Sequence, residues 1–164
     1  EKQYSADLTP LYKWTDVLER MDTEESAAAV FSSEQSMRAL PAVAAVEKVN
    51  ETVNSFPFID DHDLTRKSDY WQTPAEFVSH GGGDCEDFAI AKYSWLQVLG
   101  IPEQSMRIAI VSDAVRGKPH ALLLVDLKDR KLALDNRTKE TESHIVMAQY
   151  TPIFSFNREG WWRY

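Results

Sequence analysis

The spacing of the hydrophobic residues changes once along the chain, and this change is the strongest constraint on the fold. Up to Gly100 the apolar residues recur every three or four positions, as in amphipathic helices. After Pro102 they alternate with a period close to two, as in strands. Helices that come first and strands that come later are typical of an α+β domain. We therefore predict N-terminal helices packed on an antiparallel sheet, in a single domain that spans residues 1–164.

Two amphipathic helices are predicted before residue 55. Thr9 and Pro10 are suited to the start of the first helix, as its cap and its first-turn proline. In the second helix, which follows Pro41, Asn50 and Asn54 lie four residues apart beside the apolar face. Their side-chain amides either approach a functional site or lie on a helix rim, and the usual exposure of asparagine favours the rim. The apolar positions are Leu11, Trp14, Leu18 and Met21 in the first helix and Val43, Val46, Val49 and Val53 in the second.

Another pair of helices is predicted on either side of a run of three glycines. The sequence Thr-Pro-Ala-Glu at 73–76 has the pattern of a capping box with a first-turn proline, and the short helix that it starts is expected to end at Gly81. A longer helix is predicted over 85–99, with Gly100 as its stop. Its apolar pattern predicts a central position in the fold, with Lys92 at its rim.

Four strands are predicted after residue 105, and we expect them to pair as an antiparallel meander. The second of them is apolar on both faces, which predicts an interior strand covered on both sides. The strands are 106–111, 120–127, 131–134 and 153–156.

The only cysteine of the chain, Cys85, lies where the glycines lead into the long helix. Unpaired N–H groups at a helix start favour a thiolate, and the glycines leave the sulfur uncovered. Asp84, Glu86 and Asp87 act in the opposite direction, because neighbouring negative charges raise the pKa of a thiol. Either a cation offsets these carboxylates, or Asp84 caps the helix and the other two complement its dipole.

A nucleophilic cysteine needs a base, and His120, at the start of the interior strand, is the preferred candidate. A hairpin turn near residue 128 places Asp135 opposite or diagonal to His120, where its carboxylate can orient the imidazole. Taken singly, His120 is equally typical of a core edge, and Asp135 is typical of a turn. The backbone N–H of Cys85 is one candidate oxyanion donor, and the segment 71–72 is a second. The remaining histidines lie in polar segments or beside the glycines: His62, His80 and His144.

Charge and hydropathy exclude two classes of partner. The formal net charge of −8 repels nucleic-acid phosphates, which argues against a nucleic-acid partner. No apolar run approaches the roughly 18–20 residues that span a bilayer, so we expect no direct membrane insertion. The chain starts at Glu1 without the pattern of a signal peptide, and we expect a mature or trimmed chain.

Three segments together resemble the bacterial transglutaminase-like cysteine proteinases, and most closely their LapG-type periplasmic adhesin proteases. They are DYWQTPAEFVSHGGGDCEDFAIAKYSWLQVLG from Asp69, PHALLLVD from Pro119 and LALDN from Leu132. The resemblance implies a papain- and transglutaminase-like fold. It also implies that Cys85 is the nucleophile, His120 the base and Asp135 the residue that orients the base.

The same resemblance implies a calcium ion as cofactor, with Asp84, Glu86 and Asp87 as its ligands. It implies cleavage of a large cell-surface adhesin at an alanine-rich site near the adhesin N-terminus, which releases the adhesin and disperses a biofilm. It further implies a periplasmic location and sequestration by an inner-membrane receptor that responds to cyclic di-GMP. Two alternatives stay open: a transglutaminase or amidase that uses the same three residues, and a binding module without catalysis.

Overall fold

The computed structural model describes residues 2–24, 34–61, 63 and 69–164, and in these ranges it contains six α-helices and six strands. The helices are α1 (Tyr12–Thr23), α2 (Glu34–Arg38), α3 (Ala42–Asn54), α4 (Pro74–His80), α5 (Cys85–Val98) and α6 (Ser143–Val146). The strands are β1 (Gln3–Ser5), β2 (Met106–Asp113), β3 (Lys118–Leu127), β4 (Arg130–Leu134), β5 (Tyr150–Phe156) and β6 (Trp161–Arg163). The predicted α+β class is confirmed. None of the described helices is long and apolar enough to cross a membrane.

The strands form one antiparallel sheet in the order β1-β6-β5-β2-β3-β4. Strands β2, β3 and β4 form the predicted meander, but β5 pairs with β2 rather than with β4. The chain reaches this position after α6, and the register then sets Tyr150 opposite Asp113. The edge pair β1 and β6, with three residues in each strand, is too short to show an alternating pattern, and it was not predicted.

The two helix starts that were predicted from capping residues have different outcomes. Thr73 caps α4 in a complete capping box with Glu76, as predicted, and Gly81 follows the helix in the left-handed conformation with φ 77°. The prediction for α1 is wrong, because this helix begins at Tyr12 without a side-chain cap. Thr9 is instead held in a turn, where its backbone N–H donates to the Asp7 carboxylate at 3.0 Å.

Helix α5 lies at the centre of the fold, packed against β2 and β3 on one side and against α3 and α4 on the other. Every residue from 87 to 96 is buried. The prediction that Lys92 lies at a rim is therefore wrong: its side chain is 0% exposed, because this part of α5 has no face toward solvent. Strand β3 is covered on both faces, as predicted, with Leu123 in the core beneath α5 and Leu122 in the smaller core on the opposite face.

Helix α3 connects the core to the end of β4. Its valines at 46, 49 and 53 are fully buried, as their spacing predicts. Asn50 is only 2% exposed, so the interpretation of a helix rim is wrong for this residue. The side-chain amide of Asn54 donates to the carbonyl oxygen of Asp135 at 2.9 Å. The asparagines of α3 thus face the part of the sheet that carries the candidate catalytic carboxylate.

Candidate active site

Cys85 is the first residue of α5, and the turn that presents it is tightly packed. Asp84 caps the helix, as one of the two interpretations predicted, and Asp87, which was predicted only to complement the dipole, completes a capping box with it. A Cβ atom at Gly83 would lie 2.5 Å from an Asp87 carboxylate oxygen and 2.6 Å from the Gln72 side-chain nitrogen. Only glycine therefore fits at this position without displacing the groups that hold the turn.

The Cys85 thiol lies between the start of β3 and the acidic residues of its own helix. Its S–H donates to a Glu86 carboxylate oxygen at 3.2 Å. Burial raises the pKa of Cys85 well above its usual range, and the negative charges of Glu86 and Asp84 raise it further. The backbone N–H of Ala121 lowers it by bonding to the sulfur. The sequence predicted the effect of the carboxylates, whereas the larger effect of burial appears only in the folded chain.

His120 and Asp135 form a buried pair at the end of the sheet. The His120 Nε2 atom lies 2.8 Å from Asp135 Oδ1, and the two side chains are 0% and 2% exposed. Leu123 is paired with Leu134, which makes Asp135 a diagonal neighbour of His120, one of the two arrangements that the hairpin predicted. Ala121, the residue after His120, contacts the Cys85 sulfur. The structure therefore brings the three candidate residues to one place.

The second ring nitrogen of His120 is the one that does not contact Asp135. Nδ1 is buried and has no hydrogen-bond partner among the residues that the structure describes. Burial opposes the ionisation of Asp135, but hydrogen bonds from His120, Tyr150 and the Arg137 N–H outweigh it and lower the pKa of Asp135. An ionised carboxylate on Nε2 orients the imidazole so that Nδ1 can exchange a proton with Cys85.

Tyr150 contacts both members of this pair, and it was not predicted from the sequence. Its hydroxyl donates to Asp135 Oδ2 at 2.7 Å. Its ring lies 5.4 Å from the His120 ring, centre to centre, at 34°. The residue reaches this place through the pairing of β5 with β2, which is a long-range contact without a local sequence pattern. Tyr150 thus helps to fix the carboxylate that fixes the imidazole.

The Tyr150→Phe variant is expected to lower kcat about tenfold, because a hydrogen bond to a charged group contributes about 1.5–3 kcal/mol. KM should stay within about twofold, since the hydroxyl bonds to Asp135 and not to a cleft residue. Steady-state kinetics on a peptide substrate measure both constants. Tyr164→Phe is the matched control, because it removes a hydroxyl that bonds to Ser155. Equal kinetics for the two variants would contradict a role for Tyr150 in the site.

Three buried or partly buried aspartates, Asp61, Asp84 and Asp87, form an acidic group beside the thiol. Each offers a carboxylate oxygen, and these oxygens lie within 4.8 Å of one another. Burial raises the pKa of Asp61 to about 6, and burial together with the neighbouring carboxylates raises the pKa of Asp84. Converging carboxylates repel one another, and a bound cation would relieve this repulsion.

The acidic group differs by one residue from the predicted ligand set. Asp61 belongs to it and Glu86 does not, because the Glu86 carboxylate is turned toward the Cys85 sulfur. Asp61 comes close because the Ile59 N–H donates to the Gly83 carbonyl at 2.8 Å, which joins the irregular segment after α3 to the glycine turn. The run of aspartates after residue 59 was the only signal in the sequence, and it did not indicate where the segment packs.

The segment 71–72 contributes one available donor. The Gln72 side chain donates to a backbone carbonyl at 3.0 Å and to Asp87 at 2.9 Å, so its N–H groups are occupied. The indole N–H of Trp71 is buried and has no partner in the described part of the chain. Of the remaining histidines, His80 and His144 are exposed. His62 lies outside the described residues.

A mostly apolar cleft of about 350 Å³ opens beside the start of α5 and the start of β3. Trp71, Ile110 and Phe154 line it. Glu86, the neighbour of Cys85, and Pro119, the residue before His120, also line it, so the cleft leads to the candidate catalytic residues. This cleft is therefore a candidate binding surface for an extended polypeptide.

Comparison with known proteins places the chain in a family. The family model for bacterial transglutaminase-like cysteine proteinases matches residues 8–162. Calcium-bound LapG from Legionella pneumophila is similar at 29% identity and a TM-score of 0.74, over 91% of this chain and 86% of that one. EGTA-treated LapG from the same organism is similar at 29% identity and a TM-score of 0.73, over 92% of this chain and 84% of that one. No curated protein sequence matches. The chain belongs to the bacterial transglutaminase-like cysteine proteinase family and is a cysteine protease.

Proposed function

We propose that this chain is a calcium-dependent endopeptidase that cleaves the N-terminal region of a large cell-surface adhesin at an alanine-rich site. The observation that carries the proposal is the buried His120–Asp135 pair, joined at 2.8 Å beside the only cysteine of the chain. A thiol at a helix start, an imidazole and an orienting carboxylate are the three parts of a cysteine protease site. The cleft lined by Glu86 and Pro119 provides room for an extended polypeptide.

The reaction is acyl transfer from nitrogen to sulfur and then to water. Proton transfer from Cys85 to His120 Nδ1 gives a thiolate and an imidazolium, and the thiolate adds to the peptide carbonyl carbon. The carbon–nitrogen bond then breaks, and the amine leaves with the imidazolium proton. Water next adds to the thioester with His120 as base, which releases the acid and restores the thiol. The N–H groups of Cys85 and Trp71 are the proposed donors to the oxyanion.

The acidic group fits a calcium ion. Carboxylate oxygens are the ligands that Ca²⁺ prefers, and three of them converge here within 4.8 Å of one another. We propose that Asp61, Asp84 and Asp87 hold the ion. When bound, calcium supplies the positive charge that neutralises these carboxylates and stiffens the turn before Cys85. LapG from Legionella pneumophila, which has been solved in calcium-bound form, supports this assignment.

The substrate, the regulator and the compartment are proposed from the family resemblance of the sequence motifs. The adhesin is the protein substrate, and its cleavage releases it from the cell surface and promotes biofilm dispersal. An inner-membrane receptor that responds to cyclic di-GMP sequesters the protease. Both partners require a periplasmic location for the chain.

Incubation of the purified protein with the N-terminal region of a candidate adhesin tests the proposal. We expect two fragments, with a boundary inside the alanine-rich segment when the fragments are mapped by mass. The matched control is the same adhesin region with that segment replaced by glycine and serine, which should stay intact. A ladder of crosslinked or amine-labelled products would instead identify a transglutaminase. An unchanged adhesin region would show that this adhesin is not the substrate.

A further inference from the structure

Asp113 is a buried carboxylate that the proposed reaction does not use. It is the last residue of β2, and its side chain is 0% exposed. Its Oδ1 atom accepts the backbone N–H groups of Val115 and Arg116 at 2.9 and 3.1 Å. These bonds hold the turn between β2 and β3. Because β3 starts opposite Asp113, this turn directs the strand that carries His120.

The second carboxylate oxygen of Asp113 binds Arg137, which follows β4. The Arg137 guanidinium donates to Asp113 Oδ2 at 2.8 Å, and the same nitrogen lies 3.5 Å from the Tyr150 hydroxyl oxygen. The backbone N–H of Arg137 donates to Asp135 Oδ1 at 3.1 Å, the oxygen that also contacts His120. Arg137 therefore joins the candidate catalytic carboxylate to the turn before β3.

This link lies where the sheet no longer holds the two strands together. The ladder between β3 and β4 ends with the pairing of Leu123 and Leu134. His120 and Asp135 lie beyond that pairing, so their separation depends on contacts other than the ladder. Asn54 holds the backbone carbonyl of Asp135. The contact that ties this turn to the start of β3 is the ion pair between Asp113 and Arg137.

We propose that Asp113 and Arg137 are positioning residues whose ion pair fixes the turn after β4 against the turn before β3, and so sets the distance between His120 and Asp135. The inference rests on the proposed function, because it requires that His120 acts as the base. Neither of these two described residues lines the cleft, and both act on the reaction only through the His120–Asp135 pair. Desolvation offsets much of the attraction in a buried ion pair, so its effect on geometry should exceed its effect on stability.

Arg137→Met tests this role, because it removes the guanidinium and retains the backbone N–H that bonds to Asp135. Methionine is similarly long and unbranched. We expect kcat to fall about five- to tenfold while KM stays within about twofold, the split that follows when only the geometry of the base is disturbed. The ring proton that His120 shares with Asp135 should give a low-field signal in the proton NMR spectrum of the wild type. This signal should broaden or move upfield in the variant, because the hydrogen bond becomes longer.

Asp113→Asn removes the other partner of the ion pair and serves as the second variant if the first does not fold. The asparagine oxygen can still accept the two N–H groups of the turn, so the hairpin is retained. We expect the same loss of kcat and the same change of the ring-proton signal. The two substitutions together should lower kcat no further than either one alone, since they break the same contact.

The matched control is Arg130→Met, the same chemical change at the opposite end of β4. Arg130 pairs with Glu142, and their side chains are 40% and 32% exposed. The variant removes an ion pair that holds β4 at a distance from the His120–Asp135 pair, so kcat, KM and the ring-proton signal should stay unchanged. All measurements use the full chain with saturating calcium, and rates are expressed per folded molecule.

Two results would overturn the inference. One is wild-type kcat and an unchanged ring-proton signal in Asp113→Asn or in folded Arg137→Met. The other is an equal loss of kcat in Arg130→Met, which would make the ion pair a general stabiliser of β4. The NMR measurement needs no substrate, so it tests the positioning separately from the proposed function. An active Cys85→Ala variant would remove the proposed function itself.

Discussion

Replacement of Cys85 by alanine is expected to abolish peptide hydrolysis, with kcat/KM reduced by at least about 10⁴-fold. The chain has no second cysteine that could replace it. Without the sulfur no thioester can form, and the remaining oxyanion donors would only accelerate direct attack by water. The measurement is initial-rate kinetics on the adhesin region or on a peptide that spans its cleavage site.

The effects of substitutions at His120 and Asp135 should depend on the presence of Cys85 and should not add to the effect of Cys85→Ala. His120→Ala and Asp135→Asn are each expected to lower kcat about 10³–10⁴-fold, because the base or its correct orientation is lost. Either substitution combined with Cys85→Ala should lower kcat/KM no further, since residues that act as one unit are not additive. Alkylation of Cys85 near neutral pH should also slow in His120→Ala, since the thiolate loses its proton acceptor.

Ser79→Ala is the matched control, because it removes one heavy atom from an exposed position on the neighbouring helix α4. It should retain full activity, and Cys85→Ala should melt within a few degrees of the wild type. Hydrolysis above about 1% of the wild-type rate in Cys85→Ala, far beyond what an oxyanion hole alone sustains, would exclude this cysteine as the nucleophile.

The local patterns of the sequence were sufficient for the elements that carry the site. The Thr-Pro-Ala-Glu run formed its capping box, the three glycines led into α5 at Cys85, and the hairpin after β3 brought Asp135 diagonal to His120. Each of these features is decided within about twenty residues, where helix caps, turns and strand register act directly.

The features that were missed depend on contacts between distant parts of the chain. Asp61 joins the acidic group through a bond between the irregular segment after α3 and the glycine turn, and Tyr150 reaches Asp135 through the return of β5 to β2. Lys92 was predicted to lie at a rim because the pattern of α5 alone does not show which elements cover the helix on both sides. Periodicity states which face of a helix is apolar, but it does not state whether the other face is also covered.

Removal of calcium is expected to abolish turnover and to lower the melting temperature. Ligand at a hundredfold excess over its Kd stabilises a folded chain by about 2.7 kcal/mol, which corresponds to about 5–10 °C for a domain of this size. Without the ion, the negative charges of Glu86 and Asp84 would keep the pKa of Cys85 high. The test is thermal melting and kinetics after exhaustive chelation, followed by readdition of calcium, which should restore both.

Asp84→Asn assigns the ion to the acidic group without removing the helix cap, because asparagine caps a helix as well as aspartate does. The variant should fold but require at least about tenfold more calcium for half-maximal activity, since calcium affinity follows the charge and number of the ligands. Asp61→Asn should have a similar effect, because its carboxylate lies in the same group. Asp129→Asn makes the same change at an exposed position between β3 and β4 and should leave the calcium requirement unchanged. Two results would contradict this assignment: full activity after exhaustive chelation, or a calcium requirement equal to that of the wild type in all three variants. Either result would show that the acidic group does not bind calcium and that its aspartates only stabilise the start of α5.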